Sequence, residues 1–150
     1  MTVSENASDY NVLLVDDNVD FQQLFQVYAQ KQRIQVSTAS TGRTALSAMA
    51  RSRFDCILLD YMLPDLNGAE IFAALQREEH LGVNRDTPVI VVSAVSIPRR
   101  KLKVLYAQGI KLFLPKSFGL RELTIVVENL SFSAQASLSE EKKTANLVVG

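Results

Sequence analysis

The sequence predicts an α/β protein built on a doubly wound, five-stranded parallel sheet with helices on both faces. Three observations predict it. Five short apolar segments alternate along the chain with stretches whose apolar residues recur at helical spacing. Strand and helix in that alternation give parallel neighbours, because each strand reaches the next through a helical crossover that covers one face of the sheet. The length, 150 residues, suits one domain with a real core and leaves no room for a second.

Each element has its own justification. "YNVLLV" (10–15) is nearly all apolar, the pattern of a strand buried on both faces. Asn18 stands at an N-cap position, and Phe21, Leu24, Phe25 and Tyr28 share one face of the helix that follows. "IQVSTA" (34–39) alternates apolar and polar, as a half-exposed edge strand does, and Leu46, Met49 and Ala50 mark the next helix. "FDCILL" (54–59) is again continuous, and Ile71, Phe72 and Leu75 follow it. The stretch "REEHLGVNRDTP" predicts an extended helix end or a loop before "PVIVVS" (88–93), the third continuous run. Pro98 suits a first helical turn, Leu102, Leu105 and Tyr106 form its face, and Gln108–Gly109 suits its end. "IKLFL" (110–114) carries Lys111 and stops at Pro115, which marks an edge. Leu120, Leu123, Val127 and Leu130 form the last stripe. Three central strands and two edges give the order 2-1-3-4-5, the flavodoxin-like arrangement. The domain is expected over residues 9–130. Residues 1–8 and the polar stretch 131–150, which loses the helical period, are expected to be flexible tails with no output domain.

Composition narrows the function classes. Formal net charge is zero, so no global basic field recruits nucleic acid. A single cysteine, Cys56, makes no internal disulfide and fits a reducing compartment. The polar, acidic start has no signal-peptide pattern, and no apolar run approaches the roughly 20 residues of a membrane span. A cytoplasmic protein is expected.

In such sheets ligands sit beyond the carboxyl ends of the strands, beside the first and third. The first strand delivers Asp16 and Asp17 there, the third Asp60, the fourth Ser93, and the fifth Lys116. Two carboxylates about 4 Å apart repel by roughly 4 kcal/mol at an effective dielectric near 20, so three of them need a cation. All-oxygen donors with open positions suit magnesium. Lys116 offers a compact charge to a phosphoryl oxygen, and Ser93 offers a hydroxyl donor. A carboxylate beside a metal and a lysine can act as nucleophile and become an aspartyl phosphate.

"LLVDDN", "LLDYMLPDLNG", "VVSA" and "LFLPKSF", in that order and on those strands, resemble the receiver domain of two-component response regulators over roughly residues 10 to 130. The resemblance implies a stand-alone, chemotaxis-regulator-like phosphoacceptor rather than an enzyme, with self-catalysed phosphoryl acceptance and hydrolysis only. It implies Asp60 as phosphoacceptor and Mg2+ bound by Asp17, Asp16, Asp60 and the backbone carbonyl of Met62. It further implies Lys116 as the phosphate-binding lysine, Ser93 as switch hydroxyl and Phe113 as aromatic switch. The implied donor is a phosphohistidine on a histidine kinase or histidine phosphotransfer protein, and the output goes to a separate downstream protein. The alternative within the family is a degenerate receiver that only binds a partner. A phosphatase with an aspartate nucleophile would need a second acid where Met62 stands, and the acidic "DDNVD" would repel a flavin phosphate.

Three departures from the family stand out. Ser117, not proline, follows Lys116; a cis bond there would cost about 2.5–4 kcal/mol, which leaves the path of residues 116–118 open. Phe113 replaces the commoner tyrosine. The segment before the fourth strand is longer than usual. Elsewhere, Gly68 reads as turn and helix-entry chemistry, His80 as a solvated side chain and Cys56 as core. "PRRKLK" (98–103) is a basic run at a helix start, either a solvated face or a dock for an acidic partner. Ile125, and Phe132 if the helix continues, fall opposite the buried stripe of the last helix. Together with Phe113 and the basic run they predict a surface between the fourth and fifth helices for a partner or a weak homodimer.

Overall fold

A computed structural model describes the backbone of residues 10–149 and the side chains of residues 10–141. Five strands form one parallel sheet in the order β2-β1-β3-β4-β5. In chain order the strands are β1 (Tyr10–Val15), β2 (Ile34–Ala39), β3 (Cys56–Asp60), β4 (Val89–Ser93) and β5 (Leu112–Pro115). The helices are α1 (Val19–Gln30), α2 (Gly42–Arg51), α3 (Gly68–Arg77), α4 (Arg99–Gln108) and α5 (Leu120–Val149). The strands that read as continuous apolar runs are the three central ones, and the two half-exposed segments are the edges.

Alternation along the central strands divides the core in two. Leu13, Val15, Ile57, Leu59, Val89 and Val91 face one side and pack with Met49, Phe72 and Leu105 from α2, α3 and α4. Val12, Leu14, Cys56, Leu58, Ile90 and Val92 face the other and pack with Phe25, Leu123 and Val127 from α1 and α5. Burial pushes the Cys56 thiol up to about 12, so this cysteine is an inert core residue. His80 is exposed.

The helix boundaries follow their caps. The Asn18 side chain accepts from the Phe21 N–H, and Asn67 and Glu70 form a reciprocal capping box at the start of α3. Gly109 ends α4 at φ 117°, where it donates to the Leu105 and Tyr106 carbonyls, a conformation that favours glycine.

One expectation is corrected. The last helix does not stop near Leu130; it continues as one element through Val149, so residues 131–149 are helical rather than a flexible tail. No glycine or proline interrupts the chain between Gly119 and Gly150, and alanine, glutamate, lysine and leucine are good helix formers even where the apolar stripe fades. The stripe itself extends further than it reads: Ser131 is buried, its hydroxyl donating to the Val127 carbonyl, and Ala134 and Leu138 are half-buried. Ile125 and Phe132 do face outward, 40% and 63% exposed. Residues 1–8 lie outside the described residues, as do the side chains of 146–149.

The longer segment before β4 is a 3-10 turn, Glu79–Asn84, tied to the domain by two buried side chains, Leu81 in the core and the polar Asn84. The Asn84 amide donates to the Met49 and Ser52 carbonyls at 2.7 Å each, and its oxygen accepts from the Phe54 N–H at 2.8 Å and the Thr87 hydroxyl at 3.1 Å. It joins α2, the entry to β3 and the entry to β4, at the end of the sheet opposite the acids. Among the described residues no helix is long and apolar enough to cross a membrane.

Candidate functional site

The acids end their strands for a geometric reason. β1 and β3 are direct neighbours, with Val15 opposite Leu59, so Asp16 and Asp60 emerge side by side. Ligand atoms of Asp16, Asp17 and Asp60 all lie within 4.8 Å of one another. Asp16 and Asp60 are buried and Asp17 is exposed. Asp16 Oδ1 accepts from the Asn18 N–H at 2.9 Å, which ties the acid to the α1 cap. The buried Gln22 amide donates to the Asp16 carbonyl and, at 3.1 Å, to the Ser40 hydroxyl.

Lys116 crosses from the end of β5 to both buried acids. Its Nζ stands 2.8 Å from Asp16 Oδ2 and 3.5 Å from Asp60 Oδ2, and 4.9 Å from the centre of the Phe21 ring. Burial would lower its pKa, but the hydrogen bond and charge of Asp16, then of Asp60, outweigh burial and raise it. The ammonium is therefore fully charged at neutral pH. The 3-10 turn Lys116–Phe118 carries it, and all described peptide bonds are trans, Lys116–Ser117 included.

One ammonium does not balance this cluster. Burial, and then the Asp16 charge, push the Asp60 carboxyl from 3.8 to about 6, although the Met62 N–H and Lys116 pull it down. Oxygen donors this close, with repulsion left over, fit a small hard dication. Met62 is held beside Asp60: its N–H donates to Asp60 Oδ1 at 3.2 Å and its backbone bridges to Asn67. Replacing Lys116 with methionine is expected to raise the Asp60 carboxyl further. The cost in stability, about 2 kcal/mol by analogy with broken, partly buried pairs, should grow as pH rises through 6; denaturant titrations at pH 5 and pH 8 measure it.

The fourth and fifth strands complete the rim. Val92 pairs with Asp60, and Ser93 is the next residue, opposite Pro115. Ser93 is 1% exposed, and its Oγ accepts from the Val95 N–H at 3.1 Å, so the hydroxyl hydrogen is uncommitted by that bond. Phe113 is half-buried against the α3–α4 side of the core, and its N–H donates to the Tyr106 hydroxyl at 2.8 Å.

Gly68 has a sterically defined role. A Cβ there would sit 3.0 Å from Tyr61 Cα and 3.2 Å from the Asp60 carbonyl oxygen, both backbone atoms. Gly68→Ala is therefore expected to displace the 60–62 backbone and destabilise the fold by about 1–3 kcal/mol, read as a fall in thermal midpoint together with weaker magnesium binding.

The structure brings Asp16, Asp17, Asp60, Met62, Ser93 and Lys116 to one end of the sheet, and leaves Phe113 one strand position back from it. Sequence reasoning missed three residues here. Phe21 reads as core and packs against it, but its ring also lies beneath Lys116. Gln22, polar in an amphipathic helix, gives no signal. Asp65, in the loop after Asp60, accepts from the Gly42 N–H at 2.7 Å and the Arg43 N–H at 3.0 Å. It thereby ties the acceptor loop to the start of α2, and the Gly42 N–H, then that of Arg43, hold its carboxyl below the usual range.

Known proteins of this shape carry the comparison. The receiver domain of the Francisella response regulator 1452 superposes with a TM-score of 0.73 at 28% identity, over 83% of this chain and 98% of that one. The receiver domain of the sensor histidine kinase PA1611 from Pseudomonas aeruginosa PAO1, whose structure has magnesium coordinated in the active site cleft, gives 0.69 at 26% identity over 81% and 97%. The transcriptional regulatory protein SrrA of Staphylococcus aureus is 26% identical over 132 residues, 88% of this chain. The chain spans about half the length of that curated relative, 52% of it. The sequence profile of the response regulator receiver domain matches residues 12–128. On that match, and on the fold and acid cluster above, the chain belongs to the response regulator receiver domains of two-component systems.

Proposed function

We propose that this chain is a phosphoacceptor in a two-component phosphorelay, and that Asp60 is the residue that takes the phosphoryl group. The observation that carries the reading is the convergence of Asp16, Asp17, Asp60 and Lys116 within one shared cluster, which has too little positive charge to be at rest alone.

A carboxylate oxygen of Asp60 attacks the phosphorus of a phosphohistidine on a kinase or phosphotransfer protein. The P–N bond breaks, the electron pair leaves with the imidazole, and the imidazole takes a proton from solvent. Asp16, Asp17, Asp60 and the Met62 carbonyl would hold Mg2+, which when bound supplies positive charge to the phosphoryl oxygens. Lys116 offers its Nζ to one of those oxygens, having already been placed between Asp16 and Asp60. Ser93 donates its hydroxyl hydrogen to another. Turning Ser93 toward the phosphoryl group gives up the Val95 N–H bond, which loosens the segment leading into α4. Phe113, on the strand next to β4, follows by rotamer change. The reaction is self-catalysed acceptance and hydrolysis rather than turnover of a substrate. The switched face is read by another protein in the cytoplasm; the formal net charge of zero gives no general affinity for nucleic acid.

The test is incubation with a small acyl phosphate, with and without magnesium, followed by intact-mass spectrometry. One added phosphoryl group, acid-stable and alkali-labile, is expected only with magnesium. Its absence, with the metal shown to be bound, would remove the proposal.

A further inference from the structure

The α4 helix begins Arg99-Arg100-Lys101 and continues with Lys103, and it carries no acid anywhere along Arg99–Gln108. Cations at a helix N-terminus oppose its dipole, so local helix physics does not favour this run. Core packing does not explain it either, because all four side chains are exposed. Among the described residues none of the four forms an ion pair.

Two of the four border a groove. A cleft of about 430 Å3 runs between α4 and the start of α3, with Tyr61, Ala69, Val104 and Leu105 in its walls and Arg100 and Lys101 on its rim. Val104 is 55% exposed, an apolar side chain left open to water beside two unpaired cations. The nearby acid of α3, Glu70, is committed to the helix cap, where it accepts from the Asn67 N–H at 2.9 Å. The opposite side of α4 is differently engaged, with Tyr106 accepting from Phe113.

We infer that this α3–α4 groove is a docking site for an acidic peptide segment of a partner protein, one that sets a bulky apolar side chain against Val104 and Tyr61 and its carboxylates against Arg100 and Lys101. Charge complementarity selects the occupant. An apolar floor alone would admit many segments, but two cations without counter-ions reward a segment that brings carboxylates and repel a basic one. Both walls also lead back to the acid cluster. Tyr61 directly follows Asp60, with its N–H donating to the Val92 carbonyl at 2.9 Å, and α4 follows the Ser93–Val95 segment. In this respect the inference rests on the proposed phosphorylation of Asp60: modification would change the groove's width and with it the affinity.

The experiment uses the full chain and fluorescein-labelled 12-residue peptides carrying a leucine and a phenylalanine among glutamates, among glutamines or among lysines, followed by fluorescence anisotropy. The glutamate series is expected to bind, the glutamine series at least tenfold more weakly, and the lysine series not at all. Arg100→Glu with Lys101→Glu should invert the preference toward the lysine series, and Val104→Asp should weaken the glutamate series at least tenfold. Arg99→Glu with Lys103→Glu makes the same change in net charge away from the groove and should cost less than threefold. Equal losses from the two double variants, or equal binding of the glutamine series, would overturn the proposal. So would a self-associated protein, by sedimentation, that Val104→Asp converts to monomer, since the groove would then hold a second copy. Repeating the titrations with the acyl phosphate and magnesium, with mass checked on the same samples, separates the two readings. Peptide binding without phosphoryl uptake keeps the groove and removes the acceptor role. Uptake with no charge-selective binding does the reverse.

Discussion

Replacing Asp60 with asparagine is expected to abolish phosphoryl uptake and, in the same stroke, to make the domain more stable. The first effect follows from chemistry: an amide is no nucleophile toward phosphorus, and Asp60 is the acid at the end of the strand paired with β4, the strand that ends at Ser93. The second follows from the carboxyl's raised pKa of about 6, caused by burial and then by Asp16. A carboxyl with a folded pKa above its unfolded value of 3.8 binds protons more tightly in the native state, so stability falls as pH rises through the window from about 4 to about 6 and is then level. Asparagine keeps the acceptor for the Met62 N–H and removes the charge. The gain should be near zero at pH 4 and about 2 kcal/mol at pH 8 without metal. Denaturant titrations in a chelator at the two pH values measure it. Magnesium should shrink the difference, because it stabilises only the native wild type and binds only the ionised carboxylate. A gain of the same size at pH 4 and pH 8 would show that the cause is packing and not charge. Phosphoryl uptake that survives the substitution would move the acceptor role elsewhere.

Asn84→Ala is expected to give the largest loss of stability of any single polar substitution in the domain, about 3 kcal/mol. The side chain is 0% exposed and fills four hydrogen bonds, so its loss strands the Phe54 N–H and the Met49 carbonyl away from water. At this chain length each kcal/mol corresponds to roughly 2–4 °C in thermal midpoint. Asn84→Asp should be no better, because a carboxylate would face the Met49 and Ser52 carbonyls in place of two donors. Neither variant touches the acid cluster, which lies at the other end of the sheet. Below its lowered midpoint, the Asn84→Ala protein should therefore take up a phosphoryl group at the wild-type rate. A slowed rate with intact structure would show that the 3-10 turn reaches the site after all.

The strand order was legible because burial on two faces leaves a different trace from burial on one. "CILLD" and "VIVVS" have no polar beat, whereas "IQVSTA" does, and that contrast alone separates centre from edge. The principal members of the acid cluster were legible for a related reason. Charged and hydroxyl residues directly after apolar runs are unusual, and the topology sends all of them to one end. What stayed hidden depends on contacts between segments far apart in sequence. Asn84 reads as an ordinary loop residue until Met49, Ser52 and Phe54 are folded around it. Phe21 has the spacing of a core residue and does pack against the core, but its ring also lies beneath an ammonium, which spacing does not show. The length of α5 is not legible from the apolar period, which fades after Leu130, because intrinsic propensity without a breaker is enough to carry a helix forward. The Lys116–Ser117 peptide could take the ordinary trans form because Lys116 reaches both acids from it.

The sole cysteine lies in the middle of the sheet, on the strand that ends at Asp60, with its thiol out of contact with water. An alkylating reagent can reach that sulfur only through molecules whose sheet has come apart. The rate at which such a reagent consumes the protein is thus a built-in clock for rare unfolding, free of competing thiols, and it can be read under native conditions with and without the proposed phosphoryl group at the far end of the same strand.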